Sequence, residues 1–411
     1  MEGNNALFDT FAAARGRRVE MARIAKRVVC VSHALTPDHV STQSIMLRMK
    51  EQRITWANKS TVDFDLVDWL RFSVYPPTEV GDEPLEVRFK IIPLMGEEFA
   101  TAPKKFSYYW TEQAVKQIIN EARRDGVDHL IVGLGAYTKR ATNHGLDLLK
   151  LLEGFSDIAV TFNHGDIGTA GLAFQMIRNA GLSEDLAVAV VGATGAIGGL
   201  IAKMFPEIKP SRLVLIGKHA NDERLVRLKG QIDLPDEVIT VSGDLNDCKN
   251  FQCTIVVVAG GELEGFPPTA VNEGTLVLDV SAPNACRPND GWAGRLVYAA
   301  GNAKFSSSVL PNFFGSYNGE VVRQVNVQDR GFWGCMTQVV CAGLLGRREH
   351  LVGQNLDLWS VPQCMCDFAI LGVHPQDRKM FGREVTGEEE RQFVGRMLAP
   401  SLESTKQAVN E

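Results

Sequence analysis

The sequence predicts an α/β protein: a doubly wound parallel sheet in the centre and C-terminal half of the chain, preceded by a second α/β unit. Three observations predict it. An apolar run, Val188-Ala189-Val190-Val191, passes straight into three glycines spaced three apart, Gly192, Gly195 and Gly198, and then into helical spacing at Leu200, Ile201, Met204 and Phe205. From Ala187 onward strand and helix patterns alternate, with strands readable at 187–192, 212–217, 237–242, 254–259, 275–280 and 296–300. Ahead of these, residues 25–180 mix strands and helices.

The 411 residues suffice for two or three domains with a large core. The expected division is an N-terminal extension at 1–24, a substrate-binding α/β domain at 25–180, a nucleotide-binding domain at 181–325, and a helical C-terminal segment at 326–411. An apolar fraction of 45% is ordinary for a globular chain, and a net charge of −6 argues against nucleic-acid or anionic-membrane partners. No apolar run approaches the ~20 residues of a membrane-spanning helix. Residues 1–24 lack the apolar core of a secretory signal, and Glu2, Asp9 and Glu20 among the arginines argue against a transit peptide. Eight dispersed cysteines form no disulfide framework, so a reducing cytoplasm is the expected setting.

In the first unit, Arg27–Ser32 and Leu85–Pro93 read as strands. Trp110–Arg124 reads as a helix with Ala114, Val115, Ile118, Ile119 and Ala122 on its apolar face. His129–Leu134 reads as a further strand and ends in Gly135-Ala136-Tyr137-Thr138, a turn-rich loop of the kind that borders a cleft. Phe162 to Ala170 leads into a helix that ends near Asn179. After the nucleotide unit, Asp329–Leu345 and Glu388–Met397 read as helices, and Leu402–Glu411 as a loose tail.

A glycine turn between a buried strand and a helix lets backbone N–H groups approach a pyrophosphate at the positive end of the helix. Gly192, Thr194, Gly195, Ala196, Ile197 and Gly198 therefore form a dinucleotide fingerprint of the Rossmann type. NAD-preferring sites carry an acid at the end of the second strand. Here Lys218 follows that strand, and with Arg224 or Arg212 it suits a 2′-phosphate, which points to NADP(H). A solvated lysine on an exposed loop is the competing reading. Ala259 and Gly260 end the fourth strand with small residues that let a cofactor lie close, and Asp279–Pro283 ends the fifth.

Cys335 stands between two glycines and a core-facing stripe of Met336, Val339, Val340, Gly343 and Leu344. The positive end of a helix favours a thiolate. Cys341 lies about 240° further around the same helix, on another face. Buried cysteine is more often packing than nucleophile, so the pattern alone assigns neither residue a role. No metal site is expected: Cys364-Met365-Cys366 is too tight for zinc, and the eight histidines show no ligand spacing. His144 and His164 fall in loops of the first unit, as possible proton donors or as ordinary hydrogen-bonded histidines.

Taken in order, these residues resemble the long-chain acyl-(acyl carrier protein) reductases, aldehyde-forming enzymes related to shikimate- and amino-acid-dehydrogenase-like Rossmann proteins. The likeness covers about residues 28–348 and rests on Ser32–Thr36, Gly126–Thr138, Gly165–Ala170, Val188–Gly198, Asp279–Pro283 and Phe332–Cys335. The last of these matches the aromatic-small-Cys motif that carries the family's nucleophile. The chain departs from the family pattern at Asp166, Gly168 and Gln338, and residues 350–411 run beyond its usual end. The resemblance implies that Cys335 attacks an acyl thioester of acyl carrier protein or coenzyme A. NADPH then reduces the acyl-enzyme to an aldehyde. Tyr137, Thr138, His164, Asp166 and Thr169 are its candidate substrate or oxyanion residues, as are backbone N–H groups at Gly334–Met336. Lys104, Lys105, Arg123, Arg124, Lys139 and Arg140 form a candidate docking patch for an acidic carrier. Two alternatives stand beside this. One is an amino-acid or shikimate-type dehydrogenase using Lys139 and Asp166, and the other a nucleotide-binding scaffold without chemistry.

Overall fold

The computed structural model describes residues 26–34, 66–74, 83, 85–180, 186–260, 265–281, 284–305, 314–315, 332–354, 356–376, 378–390 and 393. The expected N-terminal extension, residues 329–331, most of the 388–397 helix and the 402–411 tail lie outside the described residues.

The first sheet gathers β1 (Lys26–Ala34), β2 (Val67–Val74), β3 (Leu85–Met95), β4 (His129–Leu134), β5 (Ala159–Asn163) and, later in the chain, β13 (Phe314–Gly315). Its order is β13-β2-β3-β1-β4-β5. β3, β1, β4 and β5 run parallel, while β2 and β13 form an antiparallel edge. Val28 to Val31 are all buried, as suits a parallel strand covered on both faces. Helices α1 (Gly96–Thr101), α2 (Lys104–Arg124) and α3 (Tyr137–Ala141) belong to this unit. α2 begins six residues earlier than its apolar face suggests, and it buries Trp110, Ala114, Val115, Ile118, Ile119 and Ala122. α4 (Asp166–Asn179) follows β5 and is buried along nearly its whole length.

The second sheet contains β6 (Ala187–Val191), β7 (Arg212–Ile216), β8 (Ile239–Ser242), β9 (Ile255–Val258), β10 (Leu276–Asp279) and β11 (Leu296–Ala299). It is wholly parallel, in the order β11-β10-β9-β6-β7-β8. Helices α5 (Ala196–Met204), α6 (Glu223–Lys229) and α7 (Asp247–Asn250) connect its strands. This is the doubly wound order, and its direction of winding reverses between β6 and β9. A crevice opens outside the carboxyl ends at such a switch point. The six expected strands are all present, each one to two residues shorter at one or both ends.

β12 (Asn302–Phe305) leaves the second sheet and pairs with β14 (Phe332–Trp333) and β15 (Val373–Pro375) in a small antiparallel sheet. α8 (Gly334–Leu344) follows β14 directly, and α9 (Ser360–Ile370) and the hairpin β16 (Lys379–Met380) and β17 (Arg383–Glu384) complete the described chain. The helix expected from residue 329 therefore starts at Gly334. Its helical periodicity is interrupted because Phe332 and Trp333 are extended and pair with Ala303 and Asn302. α8 lies flat on the first sheet: a side chain at Gly343 would meet the Val28 and Leu85 methyls at 2.6 and 2.8 Å. The stripe Met336, Val339, Val340, Gly343 and Leu344 is buried there. β2, β5 and α9 are not among the elements read from the sequence.

Candidate active site

The carboxyl edges of the two parallel sheets face one cleft of about 880 Å3. One wall is the glycine turn. Gly192 ends β6 with φ +79°, and a Cβ on it would lie 2.8 Å from the Ala259 carbonyl. Only glycine combines that conformation with so close an approach. Gly198 is needed for a different reason, because a Cβ there would lie 2.5 Å from the Gly192 carbonyl. It packs α5 against the turn, while Gly192, Thr194, Gly195, Ala196 and Ile197 line the cleft with Ala259 and Gly260 opposite. The turn is closed by Gly195 N–H to the Gly192 carbonyl at 3.0 Å, and α5 begins at the next residue. A glycine-walled hollow at the start of a nine-residue helix fits a dinucleotide pyrophosphate.

Lys218 and Arg224 also line the cleft, and both are exposed. Asp222 caps α6 by accepting the Arg224 N–H at 2.9 Å, and its carboxylate holds the Arg224 guanidinium at 2.7 Å. Sequence reading missed this acid because it sits six residues beyond the end of β7. Asp279 is buried at the end of β10 and accepts N–H groups of Ser281 at 3.0 Å and Cys286 at 2.7 Å. Burial raises its pKa despite those bonds.

The opposite wall carries the reactive groups. Cys335 is the second residue of α8 and is half-buried in the cleft. Three glycines bring α8 against the start of α4. A Cβ on Gly165, which has φ +71°, would overlap the Cys335 carbonyl. One on Gly168 would lie 2.8 Å from the Gly334 carbonyl, and one on Gly334 would overlap the Gly301 carbonyl. Gln338, one turn on, accepts the Gly168 N–H at 2.7 Å.

Asp166 opens α4, is 2% exposed, and is ion-paired with Lys139 of α3. His164 Nδ1 lies 3.2 Å and His144 Nδ1 3.5 Å from the other Asp166 oxygen. Burial alone would raise the Asp166 pKa. The Lys139 charge, helped by both histidines, reverses this and holds the carboxyl well below the usual range. Burial likewise works to neutralise Lys139, but Asp166 and then the Cys335 sulfur outweigh it, and its pKa is raised. Lys139 is therefore a buried cation coupled electrically to Cys335.

Tyr137, Asp166, Thr169 and Cys335 thus share the cleft, with Lys139 and His144 beside them. Thr138 and His164 stand behind it. Thr138 is wholly buried and donates its hydroxyl to the Gly135 carbonyl at 2.6 Å, so it shapes the turn instead of facing substrate. His164 is fully enclosed; its Nδ1 accepts the Asp166 N–H at 3.1 Å, and burial pushes its pKa down to about 4. The docking patch is also altered. Lys139 is buried, and Arg123 and Arg124 stand about 30 Å from Lys104 and Lys105 at the far end of α2. Lys104, Lys105 and Arg140 are exposed, and of these Arg140 lines the cleft.

Among the described residues, no group of three His, Cys, Asp or Glu side chains could hold a metal ion, and no helix is long and apolar enough to cross a membrane. No protein-family model and no curated protein matches the chain. Among solved structures it is similar to 2R,3R-butanediol dehydrogenase from Bacillus subtilis, at 12% identity over 32% of this chain and 40% of that chain, with a TM-score of 0.26. It is similar to the quinone oxidoreductase from Thermus thermophilus, at 14% over 38% and 48%, with a TM-score of 0.26. A third is the 5-ketofructose reductase of a Gluconobacter species, at 10% over 91% and 99%, with a TM-score of 0.28. The chain spans less than half the length of the first two. At such TM-scores these likenesses say nothing about what this chain binds or transforms.

Proposed function

We propose that this chain is an NADPH-dependent reductase that accepts an acyl group from a thioester onto Cys335 and releases it as an aldehyde. The observation that carries the reading is the position of Cys335. It is half-buried at the N-terminus of α8, in the same cleft as the glycine turn, and coupled to a buried cation. In this reading the first unit binds substrate and the second, with Lys218 and Arg224, binds NADP(H). A reduced nicotinamide bound there supplies a hydride.

The chain's own residues do the rest. The Cys335 sulfur attacks the thioester carbonyl and captures the acyl group, which fixes it in the cleft. Lys139 places positive charge where the sulfur and then the tetrahedral oxyanion are negative, and the enclosed site strengthens that attraction. Asp166 holds Lys139 in place, and Thr169 and Trp333 flank the sulfur's side of the cleft. Lys104, Lys105 and Arg140 suit the approach of an anionic carrier, acyl carrier protein or coenzyme A, from the cytoplasm.

The test is a panel of acyl-carrier and acyl-coenzyme A substrates, followed by NADPH oxidation and by intact mass. Wild type gains one acyl mass on Cys335 and forms aldehyde, and Cys335→Ala does neither. A Cys335→Ala protein that makes aldehyde at the wild-type rate sinks the thioester reading. A specific observation favours a second reading: the buried Lys139–Asp166 pair lines the cleft, which suits a dehydrogenase of keto or hydroxy acids in which the sulfur is idle. Hydride transfer to a keto acid by Cys335→Ala, lost in Lys139→Met, selects it.

A further inference from the structure

We infer that His144 is the proton-transfer residue of the acylation step, and that the segment Leu351–Gly353 holds it in place. This rests on the thioester reading and names the residue that moves the proton within it.

Acyl transfer from a thioester requires two proton movements. The Cys335 thiol gives up its proton as the new C–S bond forms, and the departing thiolate gains one as the old C–S bond breaks. One side chain can serve both, taking the first proton and donating it to the leaving sulfur, so that atoms and charge balance without another reactant. Four titratable side chains in or behind the cleft are candidates. His33 lines it, but its Nε2 accepts the Tyr137 N–H at 3.2 Å and its ring stacks with Phe99 and Tyr137. Lys139 is committed to Asp166, and its pKa is raised, so it keeps its proton. His164 is fully enclosed, its Nδ1 already accepts the Asp166 N–H, and it does not line the cleft. His144 lines the cleft, with its Nδ1 3.5 Å from Asp166 and its ring edge-on to His164 at 5.7 Å. The Asp166 carboxylate stands beside that ring, and His144 Nδ1 is buried without a hydrogen-bond partner among the described residues.

The backbone supports the same assignment. Asn143, His144 and Gly145 form a left-handed run with φ of 51°, 52° and 87°. A non-glycine residue persists there only where its surroundings impose it, and such residues cluster at functional sites. Those surroundings are specific. The His144 N–H donates to the Lys139 carbonyl at 2.6 Å, and its own carbonyl accepts the Gly353 N–H at 2.8 Å. Two residues earlier, Leu351 donates to the Phe162 carbonyl at 2.9 Å and accepts the His164 N–H at 3.2 Å. This short segment therefore fixes both histidines through main-chain bonds and extends the first sheet by one bridge to Asn163. Its place lies beyond the stretch that carries the family likeness.

The experiment follows acylation alone, without nucleotide. Free thiol release and the acyl mass on Cys335 are measured for an acyl-coenzyme A and for the nitrophenyl thioester of the same acyl group. The nitrophenyl thiolate departs without a proton, and the alkyl thiolate does not. His144→Gly suits the left-handed backbone and leaves space for added imidazole, and His144→Asn, which also tolerates it, controls for folding. We expect both variants to acylate from the alkyl thioester about 10²–10⁴-fold more slowly. The loss with the nitrophenyl thioester should be clearly smaller, because that leaving group needs no proton and only the removal of the Cys335 thiol proton is impaired, and imidazole should restore His144→Gly. Equal losses on both thioesters, no loss, or no rescue overturns the assignment to His144 and leaves the thioester reading standing. A wild-type protein that no thioester acylates overturns both.

Discussion

One wall of the cleft is built on the glycine turn, residues 192–198, with Lys218, Arg224, Ala259 and Gly260 beside it, whereas the other draws on β1, α3 and the turn after it, the start of α4 and the start of α8. The first is a backbone device: glycines, a helix end and close main-chain contacts. The second is a set of buried charges whose partners lie far apart in sequence, Lys139 with Asp166 and both beside Cys335. The contrast teaches that the two walls fail differently. Backbone walls fail by added bulk, and charge walls fail by removal of one partner.

The largest expected effect follows from that. Lys139→Met leaves Asp166 charged and buried, which costs about 3–5 kcal/mol of stability in urea unfolding. Lys139→Met with Asp166→Leu recovers most of it, because no unpaired charge remains. A single variant that loses under ~1 kcal/mol means the pair is solvated and the contrast is wrong.

Next comes pH. His164 titrates at about 4 in the folded chain, against about 6.5 when unfolded. Between these values the unfolded chain binds a proton that the folded chain does not, so stability falls as pH drops from about 6.5 to about 4. The span is roughly 3 kcal/mol. Burial holds His129 at about 4 as well, so replacing His164 with Asn should remove about half of the slope across that window, and an unchanged slope would locate the effect elsewhere.

Gly192→Ala probes the other wall. Its positive φ and the 2.8 Å approach to the Ala259 carbonyl predict a loss of about 2 kcal/mol and weaker NADPH binding by titration calorimetry. Acylation of Cys335, read by intact mass, should persist. If it is lost too, the walls are not separable. The smallest effect is expected at exposed Lys218, where Ala should weaken NADPH about tenfold, ~1.4 kcal/mol, and leave NADH unchanged.

The same contrast explains what could be read from sequence. The second sheet was legible because most of its strands carry a contiguous run of buried apolar residues, and the glycine turn because its geometry needs glycine at fixed spacing. In the first unit β5 was missed: in Ala159–Asn163 the polar Thr161 and Asn163 interrupt the apolar run, although both are buried. α9 was missed because the chain beyond Arg347 is less regular in its pattern, and Pro362 stands in the helix's first turn. Lys139 and Asp166 were paired only under the dehydrogenase alternative, and His144 was named apart from them. Their convergence depends on β4 and β5 pairing in register, from His129 with Ala159 to Gly133 with Asn163, which no local pattern encodes. Thr138 was placed in the site because its loop borders the cleft, yet its hydroxyl closes its own turn.

One contact joins the walls. Gly334 N–H donates to the Gly301 carbonyl at 3.0 Å, just beyond the last strand of the second sheet and one residue before Cys335. Cys335 is thereby moored to the second sheet by main chain, at a point where a side chain on Gly334 has no room. Under the proposed function, cleft-facing residues of β1, β3 and α3 can change without moving the sulfur relative to the glycine turn, so substrate choice and reaction type can drift independently.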